Sequence, residues 1–316
     1  MSDENKEQWQ MRLIEKVSLA AVEEQRRARR WGVFFKSLIA IYFFGVLWMA
    51  YEGGLDGDVV HTGPHTAVVE LSGEIAEGGE TNAALVIEGL QAAFKDKDTK
   101  GVILQINSPG GSPVQAGEIN DEIKKLRTKY PNTPIVSVIT DICASGGYYV
   151  AAATQSIYAD KASLVGSIGV RMDGFGFTSL IEKVGVERRL LTAGEHKGFL
   201  DPFLPVVEVE QEHMRTVLAS VHQQFIRVVK EGRGDRLKDN GQIFTGLIWN
   251  GEQSIKMGLI DGLGSSQSVA TEIIGAERLK NFTPHPDIFE RVSNRIGASV
   301  ASNLGRVLLQ QGATLK

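Results

Sequence analysis

The sequence predicts an α/β protein with a mostly parallel β-sheet, preceded by one N-terminal transmembrane helix. Three observations support this. Residues 31–51 form one apolar run, short apolar segments alternate with helical ones from residue 66 onward, and two glycine-rich turns each stand between a strand and a helix. Strands that alternate with helices favour βαβ units, in which helices cover both faces of a parallel sheet.

The apolar run has the length of a membrane span. Residues 31–51 comprise 21 residues with one charge, Lys36. At about 1.5 Å per residue they reach roughly 30 Å, the thickness of the hydrocarbon core of a bilayer. A buried core helix is disfavoured because the run is apolar on every face. A cleaved signal peptide is disfavoured because 30 mostly polar residues precede the run.

Charge asymmetry predicts the orientation of the span. Four arginines lie within residues 26–30, whereas residues 52–94 contain no Lys or Arg. Positive charge is retained in the cytoplasm, so the N-terminus is expected there and the rest of the chain on the other side. For a bacterial cell this means a single-pass protein of the inner (cell) membrane with a periplasmic or extracytoplasmic globular part.

The chain divides into five predicted parts. They are a cytoplasmic N-terminal segment (1–30), the transmembrane helix (31–51), a Gly/Asp-containing linker (52–64), a globular domain (65–284) and an amphipathic C-terminal tail (285–316).

Apolar periodicity predicts the elements of the globular part in order. Strands are predicted at 66–71, 101–106, 135–139, 156–159, 164–170 and 187–191. Helices are predicted at 81–94, after each glycine-rich turn and at 208–231, and residues 242–264 are interpreted as a strand, a helix and a glycine-ended turn. Ligand sites in parallel sheets gather at the carboxyl ends of the strands, where both glycine-rich turns lie.

Composition limits the chemistry. A net charge of −4 disfavours the broad basic surface that binds nucleic acid. The single cysteine, Cys143, excludes an intramolecular disulfide and any CxxC metal site. No metal-binding or nucleotide-binding motif is recognisable, so no cofactor is predicted.

The first glycine-rich turn is the sequence NSPGGS at residues 107–112. A strand that ends in Pro-Gly-Gly exposes successive backbone N–H groups, because glycine allows positive φ values and close approach. Such groups form an oxyanion hole or a phosphate cradle. A plain tight turn is the alternative interpretation.

The second turn contains a candidate nucleophile, Ser145, in ASGGYY at residues 144–149. A serine between a strand and a helix projects its hydroxyl at the end of the sheet, and the N–H of Gly146 would supply part of an oxyanion hole. Cys143 occupies the position of the first glycine in G-x-S-x-G, which disfavours an α/β-hydrolase. The alternative role of Ser145 is that of a helix N-cap.

A serine nucleophile needs a base, and the six histidines form no recognisable arrangement. His196 and Lys197 lie side by side and are the candidates. A lysine with an ordinary pKa of about 10.4 is almost fully charged at neutral pH, so a lysine base must be buried or near positive potential. The alternative is a solvated loop lysine.

Three segments together resemble the bacterial signal peptide peptidase A family of Ser–Lys membrane proteases, including its SohB-type members. They are NSPGGS at 107–112, ASGGYYVAA at 144–152 and TAGEHKGFLDPF at 192–203. The resemblance extends over about residues 66–264 and is carried by the order and spacing of these segments. It implies a ClpP/crotonase-like α/β fold.

The resemblance also implies the roles of site residues. Ser145 would be the nucleophile, Lys197 the general base, and the N–H groups of Gly146 and Gly110 the oxyanion hole, with no metal or cofactor. Ala193 replaces a serine of the family's S-G-x-x-K loop. The arginine of its S-P-x-R segment is also missing after Asp201-Pro202-Phe203.

The implied activity is endopeptidase cleavage of remnant signal peptides and other extended apolar peptides. The implied assembly is a homo-oligomer, an octamer for short forms, in which neighbouring protomers share each active site; residues 31–51 would contact lipid. Two alternatives stay open, a catalytically silent membrane scaffold and a crotonase-like acyl-transfer enzyme. The second is less favoured because acyl-CoA is scarce outside the cytoplasm.

Overall fold

The structure is a computed structural model that describes residues 3–55, 63–238 and 241–284. The chain forms two compact units, Met1–Thr62 and Gly63–Lys316. The predicted tail, residues 285–316, lies outside the described residues.

The described part of the first unit is one long helix, α1 (Asp3–Leu55), of 53 residues. Within its segment Val22–Trp48, a stretch of 18 residues has a mean hydropathy of 1.6 and contains no buried residue, so the helix is long and apolar enough to cross a membrane. The helix continues to Leu55 and therefore includes the first four residues of the predicted linker, 52–55. Residues 56–62 of that linker lie outside the described chain.

The second unit is built on an eight-stranded sheet in the order β6-β5-β3-β2-β1-β8, with β4 paired to β3 and β7. The strands are β1 (His65–Ser72), β2 (Thr99–Ser108), β3 (Ile135–Ala144), β4 (Ser156–Ala159), β5 (Leu164–Gly166), β6 (Ile248–Trp249), β7 (Gly262–Leu263) and β8 (Leu279–Asn281). All pairs are parallel except β5 with β6. The predicted α/β fold with a mostly parallel sheet is therefore confirmed.

Helices connect the strands. They are α2 (Ala83–Lys95), α3 (Pro113–Lys129), α4 (Gly146–Ala151), α5 (Thr178–Lys183), α6 (Glu208–Arg233), α7 (Gly251–Met257) and α8 (Ser266–Ser268). A 3₁₀ turn follows α6 at Gly234–Arg236, and a π-helical turn follows α8 at Val269–Ile274. Asn82 and Ser112 cap α2 and α3 with side-chain hydrogen bonds, as expected for helices that begin after polar residues.

Alternation along the strands places apolar side chains on both faces of the sheet. Val69 of β1 and Leu104 of β2 belong to the main core, with residues of α2, α3 and α4. Val68 and Ile103, their neighbours in the chain, point the other way into a smaller core that the π-helical turn covers. The sheet is thus covered on both faces, as predicted.

Two strand predictions were wrong in extent or existence. The strand predicted at 164–170 ends at Gly166. Residues 187–191 form no strand; they are irregular, and Leu191 is 97% exposed. A strand is stabilised by its pairing, and no strand among the described residues pairs with this segment. Conversely, β3 extends beyond the predicted residue 139, because Ile142–Ala144 pair with β5.

Candidate active site

The two glycine-rich turns meet at the carboxyl end of the sheet. β2 and β3 are parallel neighbours, and their register places Ser108 beside Cys143. The turns that follow are in direct contact. A Cβ atom built on Gly110, whose φ is +105°, would lie 2.7 Å from both the Cβ of Ser145 and the backbone nitrogen of Gly146. Glycine is therefore required at residue 110 by conformation and by close approach.

Ser145 occupies a backbone conformation that is rare for a residue with a side chain. Its φ is 50° and its ψ is −121°. Such a conformation costs about 1–3 kcal/mol and persists only where surrounding structure enforces it. Here the Ser145 N–H donates to the carbonyl of Gly166 at 2.9 Å, which ties the turn to β5. Strained strand-to-helix turns of this kind expose a nucleophile at the end of a sheet.

The hydroxyl of Ser145 does not act as a helix cap. Ser145 stands at the N-cap position of α4, but its side chain makes no capping hydrogen bond. In the described part of the chain no hydrogen bond to Ser145 Oγ is found, and the side chain is half-buried. The hydroxyl is therefore accessible and available for chemistry.

Backbone amides lie next to this hydroxyl. Gly146 is the first residue of α4, so its N–H has no acceptor within the helix, and no other acceptor for it is found among the described residues. The N–H of Gly110 donates to Ser108 Oγ at 3.2 Å. The nitrogen of the next residue, Gly111, lies 3.3 Å from the position of a Cβ built on Gly146. Gly111 and Ser108 were not singled out from the sequence, although the tandem Pro-Gly-Gly offered the signal for Gly111.

The neighbours of Ser145 hold the turn without competing with it. Burial raises the pKa of the Cys143 thiol, so it stays protonated and is not a nucleophile. Tyr148 donates its hydroxyl hydrogen to the carbonyl of Leu259 at 2.7 Å. Asn120 donates from Nδ2 to the carbonyl of Tyr149 at 2.8 Å. These two bonds anchor α4 to other parts of the fold.

Lys197 lies in a different environment. Its N–H donates to the carbonyl of Gly194 at 3.1 Å in a tight turn, and its side chain is exposed. The turn is linked to α6, because His196 Nδ1 lies 3.2 Å from Glu210 Oε1. No hydrogen bond or ion pair joins Lys197 to Ser145 in the described chain. A single protomer therefore does not bring the two predicted catalytic groups into contact.

The segment that carries Lys197 exposes many apolar side chains. Residues 171–207 are exposed at most positions, and Phe175 is 81% exposed. A groove of about 760 Å³ lies between residues 172–177, residues 198–207 and α6. Monomeric proteins rarely expose contiguous apolar surface of this kind, which is typical of an interaction surface.

Residues 127–280 match the profile of Peptidase family S49, and this range contains both Ser145 and Lys197. A putative protease of Synechocystis sp. is 31% identical over 201 residues, which cover 64% of this chain and 70% of that protein. The chain belongs to peptidase family S49.

Two further relatives of this S49 member carry different names. The putative signal peptide peptidase SppA of Enterococcus faecium is 31% identical over 226 residues, covering 68% of this chain and 65% of that protein. A Brucella abortus protein named Na(+)/H(+) antiporter NhaA is 40% identical over 256 residues, covering 77% of this chain and 35% of that protein. The chain thus spans about a third of the Brucella protein and less than two thirds of the Enterococcus protein. The antiporter name describes the Brucella protein only.

Family membership agrees with the ClpP/crotonase-like fold that the motifs implied. Among the described residues, no three His, Cys, Asp or Glu side chains are grouped so that they could hold a metal ion.

Proposed function

We propose that this chain is a membrane-anchored serine endopeptidase in which Ser145 is the nucleophile and Lys197 the general base. The observation that supports this most strongly is the Ser145 turn. Ser145 is half-buried, has a positive φ and makes no capping hydrogen bond through its hydroxyl. It lies beside the N–H of Gly146, for which the described residues supply no acceptor, in a chain that belongs to peptidase family S49.

The proposed mechanism is acyl transfer through Ser145. Ser145 Oγ attacks the peptide carbonyl carbon while the uncharged Nζ of Lys197 accepts the hydroxyl proton. The oxyanion is stabilised by the N–H of Gly146 and by the glycine loop. The protonated lysine then donates its proton to the leaving amine, and water, activated by the same lysine, hydrolyses the acyl-enzyme.

Within the glycine loop we assign the second N–H donor to Gly111. The sequence suggested Gly110, but the Gly110 N–H is directed to Ser108 Oγ. The Gly110 carbonyl accepts a hydrogen bond from the N–H of Ile75 at 2.8 Å. In a trans peptide the C=O and the following N–H point in opposite directions, so the Gly111 N–H points away from Ile75. Its nitrogen lies on the side of Gly146.

We further propose that Lys197 acts on Ser145 of a neighbouring copy. Burial disfavours the charged form of a lysine, and a lysine base has to be uncharged. The exposed apolar side chains around Lys197 offer the surface that an adjacent copy would cover. Covering it would remove Lys197 from water and place it in a shared site.

Membrane attachment through Val22–Trp48 fits apolar peptides as substrates, including signal peptides left in the membrane. Such a peptide could bind in extended form by adding a strand to a sheet edge. The enzyme would then lie in the bacterial inner membrane with residues 65–284 outside the cytoplasm.

Labelling with a fluorophosphonate tests the nucleophile. The probe should attach to the peptide that contains Ser145, and Ser145→Ala should abolish both labelling and cleavage of an apolar peptide. Ser167→Ala is the matched control, since Ser167 also has a positive φ of 52°. Labelling of another serine, or cleavage by Ser145→Ala, would contradict the assignment. A folded, oligomeric wild-type protein without labelling would support the silent-scaffold alternative.

A further inference from the structure

Ser108, a residue outside the proposed Ser–Lys pair, lies directly beneath the glycine loop. It is the last residue of β2, and its side chain is fully buried. Its Oγ donates to the carbonyl of Gly73 at 2.6 Å and accepts the N–H of Gly110 at 3.2 Å. One hydroxyl thus joins the residue that follows β1 to the loop that follows β2.

Ser108 also contacts the helix that follows the nucleophile. A Cβ built on Gly147 would lie 3.1 Å from the carbonyl oxygen of Ser108 and 3.4 Å from its Cβ. The glycine loop and α4 therefore rest on the same buried residue. A shift of Ser108 would therefore displace both the glycine loop and the start of α4.

The other side of the loop is held by backbone bonds. The N–H of Ile75 donates to the carbonyl of Gly110, and the N–H of Ser112 donates to the carbonyl of Ile75, both at 2.8 Å. The Ser108 bond and the Ile75 bonds together determine the two peptide planes that flank Gly110. Because the peptide group is planar, they also determine the direction of the Gly111 N–H.

We propose that Ser108 is a positioning residue that holds the Gly110–Gly111 loop so that the N–H of Gly111 faces the carbonyl attacked by Ser145. This inference rests on the proposed function. The role requires a group that donates and accepts at once, which a small hydroxyl does. Alanine does neither, and a thiol does both weakly.

The test compares Ser108→Ala and Ser108→Cys with the matched control Thr66→Val. Thr66 is also fully buried, and its Oγ1 donates to the carbonyl of Ala276 at 2.7 Å. Thr66 lies at the amino end of β1, whereas Ser145 follows the carboxyl end of β3, so the two residues lie at opposite ends of the strands. Ser108→Ala and Thr66→Val therefore each remove a buried hydrogen bond from a hydroxyl to a carbonyl, but only Ser108 is next to the proposed active site.

Activity of the folded protein is the first measurement. A misplaced oxyanion donor weakens transition-state binding more than substrate binding. For Ser108→Ala we expect kcat to fall by about 10- to 100-fold with KM changed less than about twofold, and a peptide boronate to bind correspondingly more weakly. Ser108→Cys should be intermediate. Thr66→Val should lower the unfolding temperature by a similar amount but keep the kcat of wild type.

Hydrogen exchange of residues 107–112, followed by mass spectrometry, is the second measurement and does not depend on activity. Ser108→Ala should accelerate exchange in this segment, and Thr66→Val should not. Wild-type kcat and boronate affinity in folded Ser108→Ala would overturn the inference, as would unchanged exchange. A wild-type protein that neither cleaves peptides nor reacts with a fluorophosphonate would instead refute the proposed function.

Discussion

A site shared between copies makes a quantitative prediction for mixed assemblies of Ser145→Ala and Lys197→Ala chains. Loss of a serine nucleophile or its base reduces turnover by on the order of 10⁶-fold, so each variant alone should be inactive. In a closed ring each site joins Ser145 of one copy to Lys197 of the next. A site is intact only where the first chain retains its serine and the second retains its lysine.

The size of the rescue follows from this geometry. In a random equal mixture each condition holds for half of the chains, so about one quarter of the sites are intact, whatever the ring size. At other ratios the activity should follow the product of the two chain fractions, with its maximum at equal amounts. A site built within one chain gives no rescue at any ratio.

The assay uses two affinity tags. The variants are co-expressed, purified on both tags in succession and checked for mixed composition by native mass spectrometry. Cleavage of a fluorogenic apolar peptide is then compared with wild type and with each variant alone. Verified mixed assemblies without activity above that of the separate variants would refute the shared site. Because the two residues make no contact within one protomer, that outcome would also rule out Lys197 as the base for Ser145.

Three further predictions concern stability and local geometry. Gly111 has a φ of +145°, and in Gly111→Ala the new Cβ would lie 2.2 Å from the carbonyl oxygen of Ile75. We expect this variant to lose peptide cleavage, and backbone strain alone should lower its free energy of unfolding by about 1–3 kcal/mol. Gly117→Ala, where no atom lies within 4 Å of the added Cβ, should leave cleavage unchanged, and equal activity of the two variants would contradict the loop assignment. Arg233 is 1% exposed and donates from both terminal guanidinium nitrogens to the Asp261 carboxylate, at 2.8 and 2.9 Å. Arg233→Met leaves this partly buried carboxylate without its main partner, so we expect the free energy of unfolding, measured by denaturant titration, to fall by about 3–5 kcal/mol. Burial alone would raise the pKa of Asp261, but the hydrogen bonds from Arg233 and the Ile157 N–H, together with the charges of Arg233 and Arg236, lower this pKa. The stabilisation is therefore present above the ordinary aspartate pKa of about 4 and is lost as the pH falls from there through the lower pKa of the folded state. Asp261→Asn should flatten the acid limb of stability against pH, and an unchanged acid limb would contradict this.

Much of the fold was predictable from local sequence. The span, the central strands and the long helix α6 follow from runs and periods of apolar residues, because burying an apolar face is a property that neighbouring residues share. The position of Ser145 was predictable for the same reason, since a serine between an apolar strand and a helical segment has to stand at a strand-to-helix turn. The strand expected at 187–191 failed because strand formation depends on a partner that the local pattern does not supply.

The sequence by itself determined the α/β architecture, the candidate membrane span, and the two glycine-rich turns at one end of the sheet. Only the tertiary structure decided which polar atoms are free. It showed that the Ser145 hydroxyl makes no capping hydrogen bond and that the Gly110 N–H donates to Ser108 Oγ. It also showed that Lys197 is exposed and is not hydrogen-bonded to Ser145. The physical reason is that hydrogen-bond partners and burial are set by segments far apart in the chain, such as Gly73 and Gly166, whose meeting depends on the packed sheet.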